Sequence, residues 1–249
     1  MSKSLTKKNP TRPPLHNQVA LVTGSTRGIG LAIAHALASE GCNLILTGRD
    51  EGALRRVSRE LASQEIKILA RPCDVRDPQS IDDLFRAIQQ KFHRLDIVIN
   101  NAGIAHPNFT VDKLPPNVWK DVIDTNLTGM FLITHSALGL MDRGGAIVNN
   151  LSIAANRVFA GSAAYIASKH GALGFTNTLR EELRQKEIRV IALMPGATDT
   201  AIWNTFWPQA PRKKMMSAAT IAEAVLHALT LPPNATVETL EILPTVGLL

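Results

Sequence analysis

One tyrosine occurs in 249 residues, with two cysteines and only 11 Phe, Trp and Tyr residues in all. Two cysteines, Cys42 and Cys73, are too few for a disulfide framework. They fit a reducing, cytoplasmic setting and are expected near strand ends as small buried hydrophobes. No His/Cys cluster has metal-ligand spacing, so no metal site is expected. No apolar run reaches the ~18 residues of a membrane-spanning helix, so no membrane partner is expected either. The first lysines are followed by no apolar segment, which does not read as a secretory signal. Acidic residues are missing from the first fourteen positions. Lys3, Lys7, Lys8 and Arg12 lie there, so the net charge of +6 leaves +2 for the rest of the chain. This distribution predicts a flexible basic tail over residues 1–15, with an electrostatic tether as its functional alternative, and not a basic face for nucleic acid.

What is present suits one compact α/β domain over residues 16–249. A hydrophobic content of 45% is ample for a large core. Gln18–Thr23 is a short apolar run, as expected of a buried parallel strand. It leads into Gly24-Ser25-Thr26-Arg27-Gly28-Ile29-Gly30, and apolar residues then recur at helix spacing until Gly41. A strand, a glycine-rich turn and a helix together present backbone N–H groups and a helix N-terminus to phosphates. Further strands are expected at 43–47, 66–70, 95–99, 146–151, 188–193 and near 238–243, with helices between them. One long helix is expected over 115–141, locally loosened at Asn126. Seven strands alternating with helices predict a Rossmann-like, doubly wound parallel sheet with helices on both faces.

The second strand ends at Gly48-Arg49. In a dinucleotide site this strand end meets the adenosine ribose, where an acid would bond the 2′-hydroxyl of NAD. Arg49, with Arg27 from the glycine turn, suits a 2′-phosphate instead, because guanidinium pairs phosphate through parallel hydrogen bonds. NADP is therefore the expected cofactor, with NAD the less favoured one; the plain alternative makes Arg49 a surface loop residue. Further on, Ser152 precedes Tyr165, and Lys169 follows Tyr165 by four residues, on the same helix face. An unperturbed phenol titrates near ~10, and a neighbouring ammonium favours its ionised form. Ser152 could hold a substrate oxygen beside that phenol, and the set could then move a proton on and off an alcohol or carbonyl oxygen. A half-buried ring beside a solvated charge is the plain alternative. Trp203, Phe206 and Trp207 fall within five residues on a stretch of little periodicity, Ala197 to Met216, as expected of a substrate lid or an oligomer contact.

Taken together, these residues resemble the classical short-chain dehydrogenases/reductases, over roughly His16 to Leu249. The family's glycine turn appears as Thr23, Gly24, Gly28 and Gly30, and its Asn-Asn-Ala-Gly segment as Asn100, Asn101, Ala102 and Gly103. The resemblance implies that Asp74 and Val75 contact the adenine, and that Pro195, Gly196 and Thr200 line the nicotinamide. Thr198 replaces a usual aliphatic residue in that segment. Ser152, Tyr165 and Lys169 match the catalytic serine, tyrosine and lysine. Asn126 matches the asparagine that completes the set and would place a water linking Lys169 to solvent. The implied reaction moves a hydride between nicotinamide and a small-molecule carbonyl or alcohol, with Tyr165 exchanging the proton and Lys169 binding the nicotinamide ribose and lowering the tyrosine pKa. The implied assembly is a homodimer or homotetramer. The C-terminus, Glu241 to Leu249, departs from the segment that many relatives use in tetramer contacts. A 3-oxoacyl-carrier-protein reductase type activity is one alternative; a non-catalytic NADP(H) sensor on the same fold is another.

Overall fold

Val19–Thr23 (β1) is buried at every position, so its backbone polar groups pair with strands on both sides. The computed structural model describes residues 15–248, and the expected tail, up to residue 14, lies outside them. Leu15 is 2% exposed and belongs to the core. Around β1 stand Asn43–Gly48 (β2), Ile68–Pro72 (β3), Leu95–Asn100 (β4), Met141–Asn150 (β5), Arg189–Pro195 (β6) and Thr239–Ile242 (β7). All pairings are parallel, and the order is β3-β2-β1-β4-β5-β6-β7. The sheet therefore grows in opposite directions from β1 and β4. Beyond the strand ends at that reversal, two loops diverge and leave a crevice.

Helices cover both faces. Gly28–Ser39 (α1), Glu51–Leu61 (α2) and Ala218–Leu229 (α8) bury Ile33, Leu37, Leu54, Val57, Ile221 and Val225 against one face. Pro78–Lys91 (α3), Gly129–Ala137 (α5) and Ala163–Leu183 (α6) bury Ile81, Leu84, Ile88, Ile133 and Leu179 against the other. Asp50 and Asp77 cap α2 and α3 by accepting backbone N–H groups, and Pro78 occupies the first turn of α3, where its missing donor costs nothing. Cys42 and Cys73 are buried thiols next to β2 and β3.

Two elements differ from expectation. The third strand lies two residues later, over 68–72, and includes Arg71 and Pro72. It is an edge strand, where proline and a charged residue are tolerated. The single long helix is divided into Pro116–Ile123 (α4), a π-helical turn Asp124–Thr128 and α5. The chain turns after Ala137, and residues 141–145 open β5 rather than extending a helix. Gly129 opens α5 beside the loop that follows β3. A Cβ there would lie 2.7 Å from Val75 Cγ2 and 2.9 Å from the Val75 carbonyl, so only glycine lets α5 press on that loop.

Gly30 is the tightest point of the crossing between α1 and the loop after β4. A Cβ there would lie 2.3 Å from Asn101 Nδ2 and 2.5 Å from the Gly24 carbonyl. Gly30→Ala is expected to destabilise the domain by roughly 1–3 kcal/mol, the usual cost of overpacking. Urea unfolding with an unchanged midpoint would show that this crossing relaxes freely.

Candidate active site

The crevice at the strand-order reversal is a cleft of about 1130 Å³. Its floor is fixed by one hydroxyl. Thr23 Oγ1, at the end of β1, donates to the Ile99 carbonyl at 3.2 Å and accepts the N–H groups of Asn101 (2.9 Å) and Ala102 (3.0 Å). Asn101 Nδ2 donates back to the carbonyls of Thr23 (2.9 Å) and Gly24 (3.1 Å). Asn150 Nδ2, from the end of β5, donates to Asn101 Oδ1 at 2.8 Å. Three strand ends are thereby tied together, and the loops leaving them diverge around the cleft.

Gly24, Arg27, Gly28 and Ile29 line it from the first loop, Arg49 from the second, and Asp74 and Val75 from the third. Asn101, Ala102 and Gly103 line it beyond β4, and Pro195, Gly196, Thr198 and Thr200 beyond β6. Two expected lining residues do not line the cleft. Ser25 is fully buried, with its hydroxyl donating to the Thr47 carbonyl at 3.3 Å, and Gly30 is buried against Asn101. Their contribution is to hold the turn.

Ser152, Tyr165 and Lys169 share the cleft wall beyond β5. Ser152 caps a short 3-10 turn, accepting the Ala154 N–H at 3.1 Å, which fixes its hydroxyl. Lys169 is 5% exposed; its Nζ donates to the Asn150 carbonyl at 2.9 Å and lies 5.6 Å from the centre of the Tyr165 ring. Burial pushes its pKa down to about 8. Burial acts against the lowering of Tyr165 expected from a neighbouring ammonium. Burial raises the phenol above its ordinary value, and only the neighbouring Ser152 hydroxyl acts the other way. The Lys169 ammonium is itself disfavoured by burial and donates to the Asn150 carbonyl rather than to the phenol. Tyr165 consequently carries its proton at neutral pH, the state a proton donor needs.

Asn126 is buried beside the loop after β4. Its side chain accepts the Ile104 N–H at 2.8 Å and donates to the Ile104 carbonyl (2.9 Å) and Ser168 Oγ (3.1 Å). Ser168 Oγ in turn donates to the Tyr165 carbonyl at 2.7 Å. With its amide so engaged, the Asn126 side chain ties the loop after β4 to the helix of Tyr165. The π-helical turn that the poor helix former Asn126 announced is what presents it there.

The aromatic residues Trp203, Phe206 and Trp207 line the cleft. Trp203–Phe206 forms a short helix (α7), and Phe206 meets Tyr165 edge-on at 5.6 Å between ring centres. Trp203 packs on Phe206 and Trp207, and its Nε1 donates to the Thr198 carbonyl at 2.9 Å. Arg212 secures the base of this segment through Asp199 Oδ1, the Thr200 carbonyl and Asn204 Oδ1, each at 2.7 Å. Sequence reasoning missed Arg212, Asn150, Arg76 and Leu248 as parts of the cleft or its support. For Asn150 a signal existed: Asn149 and Asn150 interrupt the apolar run Ala146–Leu151. For Leu248, 96 residues beyond Ser152, none did.

The depressed Lys169 pKa has a stability consequence. The folded protein disfavours the ammonium, so the penalty is complete below pH 8 and fades as pH rises toward 10.5, where the unfolded chain also loses the proton. Lys169→Met is therefore expected to gain on wild type most at pH 7 and least at pH 10, as followed by thermal unfolding. A stability difference independent of pH would show that Lys169 is not a buried cation.

The residues also fit a family model described as short chain dehydrogenase, which matches residues 18–211. A putative ketoacyl reductase of Streptomyces coelicolor is 40% identical over 188 residues, 74% of this chain and 72% of that protein. Among solved structures, an alcohol dehydrogenase of the archaeon Thermococcus sibiricus, complexed with 5-hydroxy-NADP, superposes with a TM-score of 0.86 at 29% identity, covering 92% of this chain and 97% of that one. A 3-ketoacyl-(acyl-carrier-protein) reductase of Brucella melitensis complexed with NADH gives 0.82 at 28% identity, covering 93% and 98%. With the family model spanning most of the sheet and cleft, the chain belongs to the short-chain dehydrogenase/reductase family of oxidoreductases.

Proposed function

We propose that the protein is an NADP(H)-dependent oxidoreductase that interconverts a small-molecule carbonyl and its alcohol. The observation that carries this reading is the grouping of Ser152, Tyr165 and Lys169 in one cleft with the glycine turn. The close crossing at Gly30 and the loops that diverge from β1 and β4 make the cleft deep enough for a dinucleotide. Bound NADPH would supply the hydride that forms the new C–H bond. Ser152 would donate a hydrogen bond to the substrate oxygen and fix its place. Tyr165 would give that oxygen its phenolic proton as the carbonyl electron pair moves onto it. Lys169 would bind the nicotinamide ribose, and its charge would stabilise the tyrosinate left behind. Arg27 and Arg49, both exposed at the cleft rim, would take the 2′-phosphate. Transfer of deuterium from [4,4-²H₂]NADPH to the carbinol carbon, followed by mass spectrometry, tests this assignment; unlabelled product would refute it.

The substrate is expected to present an apolar or ring-bearing group to Trp203, Phe206 and Trp207. Replacing all three by Ala is expected to lower kcat/KM on the best substrate by on the order of 10- to 100-fold, the scale of one or two lost apolar contacts. Unchanged turnover would remove the lid from the account. A 3-oxoacyl thioester is the second reading, favoured by the 40% identity to a putative ketoacyl reductase. Trp119 and Phe131, on α4 and α5, are 42% and 47% exposed, and Phe131 packs edge-on against Phe175 of α6. This apolar face suits a homodimer or homotetramer. A cytoplasmic setting is consistent with two free buried thiols and, among the described residues, no helix long and apolar enough to cross a membrane.

A further inference from the structure

The last described residues return to the cleft, where Gly247 and Leu248 line it together with Phe206 and Trp207. Their anchors fix which end they belong to. Glu241, on β7, accepts from Asn156 Nδ2 at 3.2 Å and Arg157 Nη2 at 2.8 Å, two residues on the loop that Ser152 begins. The Gly196 N–H, beyond β6, donates to the Ile242 carbonyl at 2.7 Å. A Cβ on Gly196 would lie 2.8 Å from Leu243 Cδ2 and 3.3 Å from Pro244 Cδ, so the exits of β6 and β7 meet where no side chain fits. In the strand order β7 stands beyond β5 and β6, across the reversal from β2, whose end leads to Arg49. The segment after β7 therefore belongs to the Ser152 end of the cleft. A turn then redirects the chain: the Gly247 N–H donates to the Pro244 carbonyl at 2.8 Å, and Gly247 has a φ of +85°, which favours glycine. Leu248 follows it. Leu248 is 49% exposed and Trp207 40%, so both leave apolar surface in water at the cleft mouth. A bound apolar group would cover that surface.

We propose that Leu248 is a specificity-determining residue that holds, with Trp207, the distal apolar end of the substrate. The substrate class is an apolar ketone whose carbonyl lies at Ser152 and Tyr165 and whose alkyl or ring extension passes Phe206. A short ketone reaches the proton donor and leaves Leu248 in water. Each further methylene that Leu248 and Trp207 cover adds favourable transfer out of water. The gain lies in binding the remote end of the substrate, not in moving the proton. This inference rests on the proposed carbonyl reduction and names the part of the substrate that the segment after β7 reads.

The test follows NADPH oxidation with methyl ketones whose second chain grows from ethyl to nonyl. Wild type is expected to favour the longest over the shortest in kcat/KM by on the order of 100-fold, the scale of a few covered methylenes. Leu248→Ala is expected to cut that ratio by about tenfold, chiefly by raising KM for the long ketone. Leu248→Met, which restores apolar length, should recover most of it. Val246→Ala alters the same turn at a side chain outside the cleft lining and should keep the wild-type ratio. A merely structural loss would lower long and short ketones together and leave the ratio unchanged. The proposal is overturned, with carbonyl reduction left intact, by a wild type indifferent to chain length or by a Leu248→Ala enzyme with the wild-type ratio. A Val246→Ala enzyme that loses as much selectivity overturns it too. No NADPH oxidation with any of these ketones defeats the reading of an apolar-ketone reductase, and this inference with it.

Discussion

Tyr165→Phe is expected to bind NADPH as wild type does and to turn over 10² to 10⁴ times more slowly, on the order expected for a general acid–base group. The substitution removes one oxygen and leaves the ring, its contact with Phe206 and its packing near Lys169 in place. Stability should change little, so the rate reads the proton transfer alone. The elevated Tyr165 pKa gives the reaction a direction in pH. The phenol holds its proton through neutrality, so carbonyl reduction has its acid available there. Alcohol oxidation needs the phenolate and should gain as pH rises. Lys169, at about 8, loses its charge over the same range and limits that gain. A Tyr165→Phe enzyme with nearly unchanged turnover would remove Tyr165 as the donor.

The second large effect concerns the cofactor's phosphate. Arg27→Ala combined with Arg49→Ala should weaken NADPH by on the order of 10²-fold and leave NADH nearly unaffected. Two charge-assisted hydrogen bonds would give about 3–6 kcal/mol if fully desolvated. Both side chains are exposed, so solvent screening reduces the expected loss toward the lower end. Arg49 already acts on its surroundings, since its charge helps keep the Asp74 carboxyl below the usual range, after the larger effect of the Arg76 hydrogen bonds. Wild-type selectivity for NADPH should fall as salt rises. Equal weakening of NADPH and NADH would contradict the 2′-phosphate assignment.

The fold was legible because its signals are local. Runs such as Val19–Thr23 are apolar throughout only when both sheet faces are covered, and glycine turns mark where the loops must approach closely. The grouping of Ser152, Tyr165 and Lys169 was legible because two of the three share one helix face. Other features depended on distances that no spacing encodes. The spacing of Tyr165 and Lys169 speaks for a lowered phenol pKa, whereas burial, which no spacing encodes, pushes it up. Asn126 was correctly placed at a helix irregularity, but its partners Ile104 and Ser168 lie 22 and 42 residues away. Asp74 could be matched to an adenine contact by its motif, whereas its ion pair with Arg76, and the hold of Asp121 on that arginine from 45 residues away, needed the structure. The edge strand was displaced for a related reason: apolar pattern locates buried strands well, and β3 is not buried on its outer side.

The most direct test of the central claim is NADPH oxidation, followed by absorbance, across ketones, quinones, sugars and 3-oxoacyl thioesters, with NADH in parallel. The account predicts turnover on at least one carbonyl class, faster with NADPH than with NADH, and lost in Tyr165→Phe. Tight NADPH binding with no turnover across the whole panel would contradict it and point instead to a nucleotide sensor built on the same fold.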